Sequence, residues 1–214
     1  MKIKEEVLAS VIGMLLTDGG ISVISKNKLE VFLTSNSEAL RESFKQNLQI
    51  LFPNLNLKFQ TVHGRTVKKI RVCSREVGVE FLKFSTTFRT RPCNTFPVCP
   101  KFRGVPERAV PHECNSLNGF PPATLPSFII NGTPAVKRVA LRSAMTCDGG
   151  IEFHKIVHNG KEYLQRRLLL RCHNPNLLGQ WERVFVACGF KITKTINEIR
   201  ITGKKNNLKS SETK

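Results

Sequence analysis

The chain has 214 residues, of which 34 are Lys or Arg and 16 are Asp or Glu, so its formal net charge is +18. This excess indicates a polyanionic partner, and nucleic acid fits it better than a membrane surface. No apolar run reaches the roughly 18 residues that a membrane-spanning helix needs. The first residues lack a signal-peptide pattern and the seven cysteines are an odd number, so we expect a cytoplasmic protein, nucleoid-associated if the host is prokaryotic.

Hydrophobic periodicity and turn residues predict a similar order of elements in the two parts of the chain. The first part is predicted to contain a helix over 4–17, strands over 21–25 and 28–35, a helix over 36–51, strands over 57–62 and 66–73, and a short helix over 75–83. The second is predicted to contain a helix over 133–146, strands over 151–157 and 162–172, a helix over 176–188, and strands over 190–195 and 198–202.

These elements divide the chain into two units of the same kind. We predict an N-terminal unit over 1–84, a Pro-rich linker over 85–131, a C-terminal unit over 132–203, and a disordered basic tail over 204–214. Each unit is expected to fold as helix, two strands, helix, two strands, which gives an α+β protein with two antiparallel sheets.

A repeated phrase supports this division. Residues 11–21 read VIGMLLTDGGI, and residues 141–151 read LRSAMTCDGGI. We expect Gly19 and Gly149 to end their helices by taking the left-handed conformation. Gly13 and Ser143 are small residues at matching places, so the two helices are expected to pack closely there and to bring Asp18 and Asp148 together at one end.

The acid before each glycine pair is the feature that points to chemistry. A carboxylate at a helix C-terminus faces the negative end of the macrodipole and costs roughly 0.3–1 kcal/mol. The last carbonyl oxygens of a helix also lack intrahelical partners, so acid and carbonyls together suit a hard cation such as Mg²⁺. One copy alone would favour two ordinary core helices, whereas the repetition of an unfavourable acid favours a functional pair.

The two phrases resemble the paired motifs of the LAGLIDADG homing endonucleases in their single-chain form. The match consists of Gly13, Asp18 and Gly19 in the first copy and Ser143, Asp148 and Gly149 in the second. The segment 125–130 is similar to archaeal members, and the resemblance spans most of residues 5–202. It implies two pseudo-symmetric αββαββ units that form a DNA-binding saddle of antiparallel sheets, with the motif helices packed at their interface.

The resemblance also implies a composite metal site. Asp18 and Asp148 would hold Mg²⁺, which Mn²⁺ or Ca²⁺ could replace, with backbone carbonyls of Thr17 and Cys147 as further ligands. Polar residues at the strand ends would order the attacking water, and these places are held by Ser35 and Asn36 in the first half and by His173 and Asn174 in the second, of which Asn36 and His173 are the expected catalytic residues. The basic partner is expected to be Lys194 in the second half and one of Arg89, Arg91 or Lys101 in the first.

Strand alternation predicts which side chains face DNA and which face the core, where Leu29, Val31, Leu33, Leu164, Leu168 and Leu170 belong. A two-stranded ribbon fits the major groove, and Arg and Gln suit purine edges. The expected DNA contacts are Lys28, Glu30, Phe32, Thr34, Lys58, Gln60, Arg65, Lys69, Arg71, Tyr163, Gln165, Arg167, Arg171, Lys191, Thr193, Arg200 and Thr202.

The leading hypothesis is a monomeric, site-specific endonuclease that makes double-strand breaks with 3′ overhangs in a long DNA target. Because no splicing domain flanks the motifs, an intron-encoded protein is expected. The alternatives are a non-cleaving RNA maturase or DNA-binding regulator with the same fold, and a basic ribosome-associated protein with sequence-blind affinity. A zinc site at Cys93, Cys99, His112 and Cys114 is less favoured, because the spacing lacks a close Cys-x-x-Cys pair.

Overall fold

The structure is a computed structural model that describes residues 2–25, 27–64, 66–88, 90, 123–202 and 206–207. The first half contains α1 (Lys2–Leu15), β1 (Gly19–Ser25), β2 (Lys28–Thr34), α2 (Glu38–Leu51), β3 (Phe59–His63), β4 (Lys68–Cys73) and α3 (Arg75–Leu82). The second contains α4 (Ser127–Ile130), α5 (Pro134–Asp148), β5 (Gly149–His158), β6 (Lys161–Arg171), α6 (Pro175–Ala187), β7 (Ile192–Lys194), β8 (Glu198–Thr202) and β9 (Asn206–Asn207).

The two halves have the same topology, which confirms the predicted α+β class. The first sheet has strand order β1-β2-β4-β3, and the second has order β5-β6-β8-β7 with β9 paired to β6. All the strand pairs are antiparallel. Side-chain caps set the starts of the helices, since Ser37, Thr133 and Asn174 accept hydrogen bonds from the first turns of α2, α5 and α6.

The two sheets have matching registers, which fixes the equivalence between the halves. Gly19 pairs with Leu33 as Gly149 pairs with Leu170, and Leu33 pairs with Ile70 as Leu170 pairs with Ile199. These leucine and isoleucine positions belong to one hydrophobic core that extends through both halves. One face of each sheet is therefore covered by the helices, and the opposite face is available to a partner.

The prediction that Gly19 and Gly149 adopt the left-handed conformation is wrong. Among the described residues, positive φ occurs at Asn159, Gly160 and Gly189, and Gly149 has φ −83° and ψ 160°. In the second half α5 passes directly into β5, whereas a turn over 16–18 separates α1 from β1 in the first half. A Cβ would lie 2.8 Å from Phe32 O at Gly19 and 2.1 Å from Met145 O at Gly149, so both positions require glycine for space rather than for φ.

The predicted linker contains structure at its C-terminal end. α4 lies within it, and Ala123, Leu125 and Ile129 are buried in the core. The backbone N–H of Leu125 donates to Gln180 Oε1 of α6 at 2.5 Å, which ties this segment to the C-terminal unit. The apolar residues of 123–130 were the available signal, and the surrounding prolines obscured it. Residues 91–122, including the predicted cysteine and histidine cluster and Lys101, lie outside the described residues.

The structure has no helix that is both long and apolar enough to cross a membrane within the residues that it describes.

Candidate metal centre and nucleic-acid interface

α1 and α5 pack against each other through small residues, as the repeated phrase predicts. A Cβ on Gly13 would lie 2.7 Å from Ala140 O and 3.1 Å from Ser143 Cβ. The hydroxyls of Ser10 and Ser143 form a buried hydrogen bond at 2.9 Å, and Asn47 Nδ2 donates to Ser10 Oγ. Since Gly13 is equivalent to Ser143 and Ser10 to Ala140, each half presents the same patch to the other.

Cys147, at the end of α5, lies beside Thr17, just after α1, so the C-termini of the two helices lie at one end of the interface. There, burial raises the pKa of the Cys147 thiol to about 12, and the negative charges of Asp18 and Asp148 raise it further, whereas the Thr17 hydroxyl and the Asp18 backbone lower it. The Thr17 hydroxyl itself donates to Gly13 O at 2.9 Å. Both acids therefore act on one thiol, which places the two motifs side by side.

The backbone of each motif is fixed by the strand that follows it. Thr34 N–H, at the end of β2, donates to Asp18 O at 3.0 Å. In the second half, burial raises the pKa of the Cys172 thiol to about 11, with a further contribution from the charge of Asp148. Residues 34–36 and 171–173 thus lie at equivalent places beside the two acids.

The second glycine of each motif makes room for a side chain on the sheet face opposite the core. A Cβ on Gly20 would lie 3.0 Å from the Phe32 ring, and one on Gly150 would lie 3.3 Å from Leu169 Cδ1. Phe32 in turn supports Lys69, whose Nζ lies 4.0 Å from the ring centroid in a cation–π contact.

On the N-terminal sheet, one acid holds two of the predicted DNA-contacting cations. Glu30 accepts hydrogen bonds from Lys69 Nζ at 2.7 Å, from Arg71 Nη1 at 3.0 Å and from the Ser22 hydroxyl at 2.9 Å. Burial would raise the pKa of Glu30, but these hydrogen bonds outweigh it and hold the pKa below its usual value. Glu30 thus lies on the predicted face but is only 4% exposed, because these side chains cover it.

Arg71 has a second partner on the neighbouring strand. Its Nε and Nη2 both donate to Gln60 Oε1, at 3.2 and 3.1 Å. Together with the bond to Glu30, these contacts use three of the five N–H donors of a guanidinium. Lys28 and Lys58 are exposed, whereas Thr34 is partly buried.

The C-terminal sheet has a corresponding arrangement on different strands. Glu198, on β8, pairs with Arg200 and lies 3.7 Å from Arg171 Nε. Glu152, on β5, lies 3.6 Å from Arg171 Nη2 and 3.0 Å from His154 Nε2. The hydrogen bond from His154 lowers the pKa of Glu152, against a smaller desolvation effect.

The predicted DNA contacts of β6 and β7 are only partly exposed. Gln165 shares the predicted face of β6 with Arg167 but is buried, because it accepts bonds from Arg167 Nε and Nη2 at 3.0 and 2.8 Å. Tyr163 is partly buried, and Lys191 and Thr193 are exposed. Leu168 lies on the core-facing side as predicted but is 37% exposed, whereas the equivalent residue of the first half, Val31, is fully buried. Arg65 and the side chain of Thr202 lie outside the described residues.

Three of the predicted catalytic helpers lie among the described residues and are placed unequally, whereas Arg89, Arg91 and Lys101 lie outside them. Asn36, two residues after Thr34, is exposed, but its amide donates to Thr66 O and accepts from Lys68 N–H. His173 is exposed and directly follows Cys172. Lys194 forms an ion pair with Glu182 of α6, so its ammonium is already occupied. Sequence reasoning missed Ser22, Glu152 and Glu198, because their importance depends on which side chains the strand register brings together.

Solved structures with the same fold share little sequence with this chain. A structure of mesophilic variants of the homing endonuclease I-DmoI superposes with a TM-score of 0.58 at 16% identity and covers 94% of this chain and 89% of its own. The chain has the LAGLIDADG fold. I-DmoI in complex with DNA and Mn gives a TM-score of 0.57 at 15% identity, with 94% and 90% covered. I-DmoI in complex with DNA and Ca gives 0.56 at 16% identity, with 93% and 83% covered.

No family model matches the chain, and no curated protein matches it either. The likeness to I-DmoI therefore concerns the fold. The chemistry must be inferred from the residues at the ends of α1 and α5 and on the two sheets.

Proposed function

We propose that the protein is a site-specific endonuclease that cuts both strands of double-stranded DNA in a metal-dependent reaction. The observation that supports this most strongly is the close packing of α1 against α5 at Gly13 and Ser143, which stand at matching places five residues before Asp18 and Asp148. The two sheets of a protein with charge +18 extend from that point with Lys and Arg on the face opposite the core.

The residues present at the helix ends fit a hard divalent ion. Within the part of the chain that the structure describes, no group of three or more His, Cys, Asp or Glu side chains forms a metal site. An ion would therefore be held by the two carboxylates, by carbonyl oxygens of Thr17 and Cys147, and by water and DNA phosphate, a ligand set that suits Mg²⁺. Mg²⁺ prefers oxygen ligands to thiol ligands, so the Cys147 side chain is not expected among them.

The divalent ion, when bound, supplies Lewis-acid stabilisation of the phosphate and makes a water molecule more acidic. The residues of the protein position the two acids relative to each other and to the DNA-facing sheets. Gly13 and Ser143 bring α1 and α5 together, and Gly19 and Gly149 allow each acid to be followed directly by a strand of the DNA-facing sheet. Each sheet would then contact one half of the target while one acid from each half faces the scissile phosphates between them.

The dimensions support a long target. β2 has seven residues and β6 has 11. At roughly 3.3 Å per residue these strands span about 23 and 36 Å. With about 3.4 Å per base pair, the two sheets together would cover well over ten base pairs. I-DmoI has been solved in complex with its target DNA in the presence of Mg, which is consistent with DNA as the partner of this fold.

The second candidate is a non-cleaving maturase or regulator, and the state of the helper residues favours it. The side chain of Asn36 is bonded to the 66–68 backbone, and Lys194 is paired with Glu182. Neither group is poised to deliver or remove a proton at the metal centre. This arrangement is expected to make cleavage slow unless DNA binding rearranges it.

The test is cleavage of a plasmid library that carries intron insertion sequences of the host, in Mg²⁺ and in EDTA. A single linear product, cut at one place and only with Mg²⁺, is the expected result, and mapping its ends would also show whether 3′ overhangs form. Retention of a specific sequence without any break, in either condition, would favour the second candidate.

A further inference from the structure

Two nearly buried glutamates lie on the sheet faces that carry the predicted DNA-binding cations. Glu30 is 4% exposed and Glu198 is 8% exposed. Both alternate along their strands with core residues, Val31 and Ile199, and so point to the side away from the core. A buried acid on this side is unexpected in a protein that should attract DNA phosphate.

Glu30 is not arranged to read a base directly. Its Oε2 accepts from Lys69 and Ser22, and its Oε1 accepts from Arg71. A glutamate that reads cytosine must present a carboxylate oxygen to the amino group in the major groove. Here both oxygens face neighbouring side chains, so the acid acts on the cations rather than on DNA.

The register shows that the same arrangement is built differently in the two halves. Glu30 lies three residues before Leu33, and the equivalent position three before Leu170 is Arg167. Lys69 precedes Ile70, and the equivalent position before Ile199 is Glu198. The charges at these two positions are exchanged between the halves. Each sheet nevertheless has one buried acid between two cations, which are Lys69 and Arg71 in the first and Arg171 and Arg200 in the second, where the partly exposed Glu152 also lies near Arg171.

We propose that Glu30 and Glu198 are positioning residues that set sequence discrimination, each for the half of the DNA target under its own sheet; this inference rests on the proposed function. A free Lys or Arg on a sheet surface samples many rotamers and binds any phosphate within reach. An acid that holds two such side chains in one orientation reduces the entropy lost on binding a specific base. It also cancels one positive charge and so weakens sequence-independent attraction to phosphate.

Phe32 and Gln60 add to this ordering in the first half. The Lys69 ammonium makes a cation–π contact with the Phe32 ring, and Gln60 accepts two hydrogen bonds from Arg71. The cations of the N-terminal sheet are thus oriented before DNA arrives. The two N–H donors of Arg71 that remain are enough for a bidentate contact with a guanine edge.

The experiment is selection from duplexes of randomised sequence, made in Ca²⁺, with wild type, Glu30→Gln, Glu198→Gln and Glu42→Gln. Glu42 is a matched control, because it pairs with Lys45 on the exposed side of α2 and its replacement changes net charge equally. Glu30→Gln should lose about tenfold or more of the base preference in one half of the selected site, and Glu198→Gln in the other half. Glu42→Gln should select the wild-type sequence.

Salt dependence separates positioning from charge. With a random-sequence duplex, Glu30→Gln should bind more tightly at low salt, and its slope of log affinity against log salt should steepen by about one. Glu30→Asp keeps the charge but shortens the side chain, so it should lose preference in the same half without a change of slope. It also carries the test if Glu30→Gln does not fold, as judged by circular dichroism.

The outcomes distinguish the two proposals. If wild type selects no sequence, the proposed function fails and this inference fails with it. If wild type selects a site and the variants keep the preference of both halves, or lose the two halves together, the inference is overturned while the proposed function stands.

Discussion

The two halves of the molecule share a backbone plan but differ in the surfaces that they present. The N-terminal hairpin has two strands of seven residues, whereas β5 has 10 and β6 has 11. The core side of the short hairpin is covered, with Val31 and Leu33 fully buried. On the long hairpin Ile151, Phe153 and Val157 are 63, 61 and 70% exposed. By register, Ile151 and Phe153 are equivalent to Ile21 and Val23, whereas Val157 lies in the extra length of the long hairpin.

The comparison teaches which features the fold requires in both copies. The acid, the two glycines after it, the small residues between the helices and the strand register occur in both halves. Strand length and the placement of charge differ. A scaffold with two-fold pseudo-symmetry can therefore carry two dissimilar reading surfaces, which suits a target whose halves differ in sequence and length.

The largest expected effect concerns the acids, which the account treats as equivalent. Asp18→Asn and Asp148→Asn should each slow double-strand cleavage by more than about a hundredfold, because metal-mediated charge stabilisation contributes several kcal/mol and about 1.4 kcal/mol is a factor of ten. Single-turnover cleavage gives the rate, and gel shift in Ca²⁺ should show nearly unchanged binding. Glu42→Gln is the matched control. Full activity in either Asp variant would show that the halves are functionally unequal.

The next largest effect is expected at the two equivalent positions of the α1–α5 interface, Gly13 and Ser143. Gly13→Ala places a methyl group 2.7 Å from Ala140 O and should destabilise the fold by about 1–3 kcal/mol. Ser143→Ala loses the hydrogen bond to Ser10 and should cost about 1 kcal/mol. Gly179→Ala, in α6 where a Cβ would meet no atom within 4 Å, should stabilise by about 0.4–1 kcal/mol. Urea unfolding gives the change in stability for all three variants. Equal changes in Gly13→Ala and Gly179→Ala would rule out the close approach of α1 and α5.

The stability of the fold at low pH should depend on the hydrogen bonds that Glu30 accepts from its neighbours. Because the folded pKa of Glu30 lies below its unfolded value, its contribution is present above the unfolded pKa of roughly 4.3 and is lost as pH falls through the folded value. The free energy of unfolding of wild type should exceed that of Glu30→Gln by about 1–3 kcal/mol at neutral pH, and this difference should shrink below about pH 4. Denaturation across pH tests this, and a difference that grows on acidification would contradict the assigned sign.

The smallest effect concerns the long hairpin. Val157→Thr lies on an exposed position of β5 and should change stability by no more than about 0.5 kcal/mol. Val31→Thr, a valine of β2 with no exposure, buries a hydroxyl and should cost about 1–3 kcal/mol. A large loss of stability in Val157→Thr, measured by thermal unfolding, would mean that the outer face of the long hairpin is covered.

Local pattern predicted much of the fold. Alternation and turn residues predicted the element order of both halves, and the Asn-Gly turn at 159–160 has the positive φ values expected of a two-residue hairpin. The roles of Gly19 and Gly149 were misjudged, because an excluded Cβ depends on neighbours such as Phe32 and Met145 that pattern does not reveal. The short helix α4 was missed because its signal lies among prolines.

The site was predictable to the extent that it depends on the repeat. Asp18 and Asp148, Gly13 and Ser143 follow from comparing the two motifs. The burial of Glu30 and Gln165 does not, since alternation gives the face of a residue but not the lateral ion pairs and hydrogen bonds that cover it. The engagement of Lys194 by Glu182 likewise depends on how α6 lies beside β7.

The central claim is that carboxylates from both halves form one metal site, and Mn²⁺ binding tests it most directly. Electron paramagnetic resonance of Mn²⁺ titrated into the protein–DNA complex should show weaker or fewer bound ions in Asp18→Asn and in Asp148→Asn than in wild type and Glu42→Gln. Wild-type Mn²⁺ binding by either Asp variant would contradict a site shared between the two halves.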